Sequence, residues 1–403
     1  MKEKKRPLGL YVHIPFCRSK CAYCDFYSLP HREDQFKRYA AALERHLTQT
    51  APSAAHHQVD TIYFGGGTPA LLGHRLLLDI LDTIARKYDV AKDAEITLEA
   101  NPESAQDWRE LRKLRRGGFN RLSLGAQSSD DEILRAIGRI HTWDQVESAV
   151  AAARRAKWDN LSLDLIYGLP GQTMGSWQDT VEKALALRPE HLSCYGLKVE
   201  EGTPLWERRD TAGLPDDDAQ ADMYLWMVER LDEAGYGQYE ISNFARSGMA
   251  SRHNRKYWTL SEYAGFGPGT HSDFGEVRYA YGRDLGAYLE GVEQDTLRVS
   301  EAETLPLRGR DTEYIMLSLR TAEGISRYVF EHTYRQRFAP LEQTFRKYEA
   351  LGCARRTDRG WALTPKGYLL SNTIITDLWE ANGAEKVRRE QAAARGDFRI
   401  ELP

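Results

Sequence analysis

Cysteine is scarce in this chain. There are five in 403 residues, and three of them fall within eight positions as Cys17, Cys21 and Cys24. An odd, clustered set does not make a disulfide framework, and in a reducing compartment clustered thiols more often bind metal. Long apolar runs are missing as well: no stretch approaches the roughly 18 residues that a membrane-spanning helix needs. Neither sign of charge dominates, with 55 Lys and Arg against 59 Asp and Glu and a net charge of −4. That balance gives no global pull toward nucleic acid or an acidic membrane, so no nucleic-acid partner is expected and any membrane contact is peripheral. The basic start, Lys2, Lys4, Lys5 and Arg6, leads into the apolar piece 8–14, which contains His13 and runs into the cysteine cluster. It reads as a strand and not as a signal peptide, so a cytoplasmic protein is expected.

Short β-like runs alternate with helical patterns as far as about residue 200. Strands are read at 8–14, 59–64, 95–99, 120–125, 160–167 and 191–197. Helices are read at 33–49, 70–88, 104–117, 130–138 with 143–157, and 175–187. Leu72, Leu76, Ile80 and Ile84, for example, recur at helical spacing. Repeated strand–helix alternation predicts a mostly parallel sheet in an α/β fold, a partial or full TIM-like (β/α) barrel. Gly-rich and polar segments follow several strands, as Gly65-Gly66-Gly67-Thr68, Gly125-Ala126-Gln127-Ser128 and Gly168-Leu169-Pro170-Gly171. In parallel α/β folds ligands gather at those strand ends.

The predicted organisation is a barrel core over 1–200, an irregular, aromatic-rich extension over 201–306, a C-terminal winged-helix-like α+β module over 307–380, and a charged, frayed tail over 381–403. Within the extension, 225–231 reads as helix, 236–241 as a strand, and 252–258 as a loop. The last module reads as helices near 311–321 and 335–351, a hairpin over 353–364, and a helix over 365–379 that starts with proline.

Cys17-Arg18-Ser19-Lys20-Cys21-Ala22-Tyr23-Cys24 carries the strongest chemical signal. Three thiolates on one short loop grip three irons of a cubane cluster and leave the fourth iron open for an exogenous ligand. The alternative is a zinc site with His13 or His31 as fourth ligand, although zinc sites usually draw paired ligands from two places. Cys194 and Cys353 read as small buried residues.

The run Tyr11-Val12-His13-Ile14-Pro15-Phe16-Cys17, with Cys21 and Cys24 after it, resembles the radical S-adenosylmethionine (SAM) superfamily signature. In detail the chain is similar to the HemN/HemW branch, which holds oxygen-independent coproporphyrinogen III oxidases and heme chaperones. The resemblance covers roughly residues 8–380. It implies a [4Fe-4S] cluster on Cys17, Cys21 and Cys24, with SAM on the open iron, where an electron from the cluster can cleave it to a 5′-deoxyadenosyl radical. It implies SAM contacts from Gly66, Gly67 and Thr68 in the glycine run, from Glu99 in Glu99-Ala100-Asn101-Pro102, and from Gln127, Arg139 and Asp164, with Tyr11 and Tyr23 beside the cluster. It also implies a tentative heme ligand, His253, in His253-Asn254-Arg255-Lys256-Tyr257-Trp258, with His271 second in line.

The oxidase side of the branch carries a fourth cysteine two residues after the third and an extra segment before the cluster. Here the residue is Phe26, and sixteen residues precede Cys17. Both departures point to a heme chaperone that passes heme to heme-requiring acceptor proteins, respiratory enzymes among them. The alternative is a coproporphyrinogen III dehydrogenase of heme biosynthesis, which leaves enzyme status open.

Overall fold

The structure is a computed structural model and describes residues 5–394. The chain forms two compact units. One runs to Gln238 and takes in Ser242–Lys256 and Ser261–Thr304; the other holds Tyr239–Ile241, Tyr257–Leu260 and the chain from Leu305.

The first unit is a partial (β/α) barrel. Its successive strands are β1 (Arg6–Ile14), β2 (His57–Gly66), β3 (Val90–Ala100), β4 (Arg121–Gln127), β5 (Leu161–Tyr167) and β6 (His191–Gly196). They lie side by side in chain order, every pair parallel. Helices α1 (Phe36–Thr50), α2 (Gly73–Lys87), α3 (Trp108–Arg116), α4 (Asp131–Ala136), α5 (Trp143–Arg155) and α6 (Met174–Ala186) supply the crossovers. Parallel neighbours require such crossovers, and helices packed back on the sheet bury its outer face. In β1, Leu8, Leu10, Val12 and Ile14 are all fully buried, as are Leu77, Ile80 and Ile84 of α2. After α7 (Asp217–Glu233), the sheet is extended by short strands at both ends. On the β6 side these are β7 (Gly237–Gln238) and β8 (Asn243–Ala245). On the β1 side, β9 (Tyr263–Phe266) pairs parallel with β1, and β10 (His271–Phe274), β11 (Val277–Ala280) and β12 (Glu301–Thr304) follow. The 12-stranded sheet therefore has two edges and does not close.

Two readings of the extension are corrected, the strand over 236–241 and the loop over 252–258. The predicted strand over 236–241 shrinks to the two residues of β7, and the helix near 225–231 is the end of the longer α7. The predicted loop over 252–258 is helix α8 (Arg252–Trp258). Its start is held by a distant carboxylate. Glu95 of β3 accepts from the backbone N–H of Arg252 (2.9 Å) and of His253 (3.0 Å), while Ser251 Oγ accepts from Asn254 N. An N-terminal carboxylate satisfies orphan donors and complements the helix dipole. A pattern search along the local sequence does not register a cap supplied from β3.

The second unit holds α10 (Asp311–Ser318), α11 (Arg327–His332) and α12 (Ala339–Ala350), numbered after α9 (Leu285–Glu293) of the barrel unit. A three-stranded sheet of β13 (Ile325–Ser326), β15 (Gly360–Leu363) and β14 (Ala354–Arg356) completes the winged-helix-like module, with Phe345 stacked on Trp361 at 5.2 Å. The final helix α13 (Ser371–Ala394) passes through residue 381, where the sequence reading placed a frayed tail. Buried Asn382 donates to Asp311 (2.6 Å) and Lys386 pairs with the same carboxylate (2.7 Å), which ties the extra turns to α10. Residues 395–403 of that tail lie outside the described residues. Among the described residues, no helix is long and apolar enough to cross a membrane.

Because Glu95 supplies the cap, Glu95→Ala is expected to destabilise α8 by about 1–2 kcal/mol. That corresponds to roughly tenfold faster hydrogen exchange at the Arg252 and His253 amides. Unchanged exchange there would show that α8 stands without the carboxylate.

Candidate cofactor site

The cysteine loop leaves the carboxyl end of β1. Phe16–Cys17 pairs with Leu29–Pro30 and so closes the loop at its base. Its middle is pinned through one residue: Ala22 N donates to Ile137 O, and Ala22 O accepts from Leu205 N, both at 2.9 Å. The glycine run that ends β2 is joined to the same base, with Gly67 N donating to Ile14 O (2.9 Å) and Thr68 N to Phe16 O (2.7 Å). Thr68 Oγ1 donates to Cys17 Sγ (3.7 Å). Gly66 has φ +111°, and a Cβ there would sit 2.3 Å from the His13 ring. The glycine is thus required by backbone conformation and by close packing on β1.

Cys17, Cys21 and Cys24 are free thiols, each half-buried, and all three line one cavity of ≈ 340 Å³ at the carboxyl ends of the strands. Burial pushes the Cys17 and Cys24 thiols up, so binding a metal there must displace their protons. Among the described residues, no three His, Cys, Asp or Glu side chains converge as ligands of a single ion do. A cubane takes its three thiolates on three different irons and needs no such convergence. The zinc alternative with His13 loses its fourth ligand: His13 Nε2 donates to Tyr27 O (2.9 Å) and Nδ1 accepts from Tyr11 OH (3.2 Å). Cys194 and Cys353 are buried and line no part of this cavity.

The cavity wall follows from strand alternation. On β4, Arg121, Ser123, Gly125 and Gln127 face the cavity while Leu122, Leu124 and Ala126 are buried elsewhere. The same period brings in Tyr63 from β2, Glu99 from β3, Asp164 and Ile166 from β5, and Ser193 and Tyr195 from β6. β4 is irregular between Gly125 and Gln127, and Gln127 has φ +65°. Such a bulge re-aims a side chain at a strand end. A Cβ on Gly125 would press on Gln127 Nε2 (2.9 Å) and Arg139 Nη2 (3.0 Å), so this glycine makes room for both.

The polar groups form two linked sets. Arg139 Nη1 donates to Asn101 Oδ1 (2.8 Å) and Nη2 to Tyr23 OH (3.1 Å), while Asn101 Nδ2 donates to Thr68 Oγ1 (3.1 Å). The buried Nε of Arg139 has no partner among the described residues. Deeper in, Glu99 accepts from Tyr63 OH (2.6 Å) on Oε1 and from Gly66 N (3.1 Å) on Oε2. Asp164 accepts from Ser123 (3.1 Å) and Ser162 (3.4 Å). Burial pushes Glu99 up to about 7, with the Asp164 charge adding to it and the Tyr63, Gly66 and Arg121 interactions opposing. Burial raises Asp164 as well.

Of the residues expected to touch SAM, the structure brings Tyr23, Gly66, Gly67, Thr68, Glu99, Gln127, Arg139 and Asp164 to the cavity. Tyr11 does not line it; its ring stacks on Tyr63 (6.1 Å) and His253 (6.5 Å). His253 is placed against the sequence expectation. Its segment is helical, the side chain is 1% exposed, and Nδ1 shares a 2.9 Å hydrogen bond with Thr61 Oγ1. Heme ligation would require this ring to leave Thr61 and its aromatic stack. The next residue, Asn254, is the one that faces the cavity. Tyr63, Arg121, Ser123, Ser193 and Asn254 were missed. All but Asn254 sit on strands in register with residues that were found, so strand alternation was the available signal.

The sequence matches the Radical SAM superfamily over residues 11–184 and the HemN C-terminal domain over residues 307–370. It is 33% identical to the heme chaperone HemW of Bacillus subtilis over 369 residues, 91% of this chain and 97% of that protein. The chain belongs to the radical SAM superfamily, in its HemN/HemW branch. HemW of Escherichia coli is 36% identical over 341 residues, 81% of this chain and 86% of that one. Among solved structures, the coproporphyrinogen III oxidase HemN from Escherichia coli, a radical SAM enzyme, superposes with a TM-score of 0.80. It is 24% identical, covering 93% of this chain and 90% of that chain, a likeness of fold.

A radical SAM protein implies a [4Fe-4S] cluster and SAM, and the residues present fit both. Three unpaired thiols on one loop match a cubane with an open iron. The unpaired Arg139 Nε, the two carboxylates and the backbone of the glycine run match a zwitterionic nucleoside ligand.

Cys17→Ala, Cys21→Ala and Cys24→Ala are each expected to abolish the four-iron cluster in anaerobically reconstituted protein, while Cys194→Ala and Cys353→Ala leave iron content unchanged. A full complement of iron in any of the first three would defeat the ligand assignment. A second expectation follows from Glu99. If its ionised form holds SAM, only about a tenth of the protein is competent at pH 6, so SAM affinity is about tenfold weaker at pH 6 than at pH 8. Glu99→Gln flattens that dependence, and calorimetric titration across the range reads both.

Proposed function

We propose that this protein is a heme chaperone of the cytoplasm, which binds heme and passes it to heme-requiring proteins while carrying a [4Fe-4S] cluster and SAM. The observation that carries the reading is Phe26. It lines the mouth of the cysteine cavity with 67% of its surface exposed, two residues past Cys24, where the oxidase side of the branch carries a fourth cysteine. An exposed apolar patch rimmed by polar residues marks a binding surface, and Phe26 shares this cavity with a second exposed aromatic, Tyr195. Tyr195 is 40% exposed, and Lys20 and Lys198 line the same cavity, the Lys198 amine paired with Glu200 at 2.6 Å. An aromatic surface with amines suits a flat porphyrin with anionic propionates. The relatives named as heme chaperones, at 33% and 36% identity over most of the chain, support the same reading.

In this proposal Cys17, Cys21 and Cys24 hold the cluster, which when bound supplies an electron and an open iron. Arg139, Gln127, Glu99, Asp164 and the glycine run hold SAM. The heme iron takes its imidazole from His271 in preference to buried His253. β9 runs parallel to β1, so the turn after Phe266 returns at the carboxyl end of the barrel, the end that carries the cysteine loop. His271 opens β10 there and is exposed, and the neighbouring Gly269 lies against Tyr27. Imidazole is an ordinary axial ligand for heme iron.

Heme added to the protein is expected to give a Soret band at a defined stoichiometry, and His271→Ala to weaken binding at least tenfold while His31→Ala leaves it intact. Under anaerobic conditions with SAM and a reductant, coproporphyrinogen III is expected to persist. Its consumption, together with weak heme binding, would establish the oxidase reading instead.

A further inference from the structure

We infer that His253 is a positioning residue for the SAM-binding wall, acting from beneath the cavity through Tyr63 and Glu99. The inference rests on the SAM reading of the cavity. It starts from the way α8 splits neighbouring residues. Successive residues on a helix point about 100° apart. Here Asn254 reaches the cavity while His253 turns under it against β1 and β2.

The ring is fixed on several sides. Nδ1 bonds Thr61 Oγ1 at 2.9 Å, and the backbone N–H of His253 is held by Glu95. Gly9 of β1 leaves the space the ring needs, since a Cβ there would come within 3.2 Å of His253 Cε1. The ring stacks on Tyr63 with centroids 5.2 Å apart and planes 28° from parallel. Tyr63 is the connection to the site, for its hydroxyl donates to Glu99 Oε1 at 2.6 Å and Glu99 Oε2 accepts from Gly66 N in the glycine run. The line from His253 to the glycine run is therefore a continuous set of contacts. Burial holds the imidazole near a pKa of about 3, so it works as a neutral, rigid plate.

Loss of the ring opens a void beside Tyr63, and a phenol free to tilt into it releases one of the two donors that orient Glu99. SAM binding then weakens without any change in the cysteine loop. The reading also accounts for a polar histidine in this motif being buried, at 1% exposure.

The test is a double-mutant cycle on cluster-loaded, unreduced protein, with SAM binding followed by calorimetry and iron content measured in every sample. His253→Ala and Tyr63→Phe are each expected to weaken SAM about tenfold with iron retained. The double variant should be no weaker than the worse single one, because both act through the same contact. His253→Phe, which restores an aromatic plate against Tyr63, should recover most of the loss. Should His253→Ala fail to fold, Thr61→Val cuts the same ring from its anchor and takes its place in the cycle. Unchanged SAM affinity in His253→Ala, or fully additive losses, overturns the inference. Loss of heme binding with SAM affinity intact also overturns it and returns His253 to the iron. Wild-type protein that holds its cluster yet binds no SAM defeats the SAM reading itself, a result that the variants are not needed to see.

Discussion

The site depends on a short zipper between two backbones. β1 and β2 are parallel neighbours, and their pairing continues past the strands: Gly67 N to Ile14 O, then Thr68 N to Phe16 O. That continuation sets the cysteine loop directly beside the glycine run. Backbone bonds of this kind contribute roughly 1 kcal/mol each, so the zipper is modest in energy. Its importance is geometric. The thiols that suit a cluster and the amides that suit its ligand share one pair of strands, and neither can shift without the other. Thr68 strengthens the link, since its hydroxyl donates to Cys17 Sγ and accepts from Asn101.

The barrel arranges the remainder through its period of two. Parallel strands in register place Glu99 opposite Ser123, and Asp164 opposite both Gly125 and Ser193. Polar residues thus form rings around the interior while apolar ones pack under the helices. This is why the strands were legible from sequence, as were the residues at strand ends. Apolar alternation announces the strands, and Gly-rich turns announce their ends. Tyr63 and Arg121 were harder to see because neither sits at the carboxyl end of its strand: Tyr63 lies inside β2, and Arg121 is the first residue of β4. An arginine that opens an apolar run reads as a solvated strand start, and only the assembled barrel shows that it is buried and faces the cavity.

Helix α8 marks the limit of local reading. The motif His253–Trp258 was visible, but its conformation depends on Glu95, more than 150 positions earlier. A seven-residue helix is too short to stand on propensity alone. With the cap supplied from β3 and Lys256 held by Asp60 at 2.7 Å, the segment becomes part of the barrel wall. A histidine expected on a loop beside a cavity then lies beneath one. The final helix teaches a related lesson: a mixed-charge sequence past residue 380 reads as tail until Asn382 and Lys386 are seen to share Asp311.

The charge state of the interior follows from burial. Desolvation disfavours whichever form is charged. It raises Glu99 and Asp164 and lowers His13, His191 and His253, so every one of these groups is pushed toward neutrality. For Glu99 the sign is clear. With its folded value near 7 against an ordinary 4.5, the folded state binds a proton more tightly than the unfolded chain does. Its contribution to stability is most favourable below pH 4.5 and is lost as pH rises through 7. At neutral pH the wall therefore carries a carboxylate whose burial is uncompensated in part. Arg121 offsets some of that burden for both Glu99 and Asp164. A cationic group of a ligand in the same cavity would offset more. The donors around the two acids, Tyr63 and Gly66 on Glu99 and Ser123 and Ser162 on Asp164, are therefore what let two carboxyl groups lie so deep in the barrel.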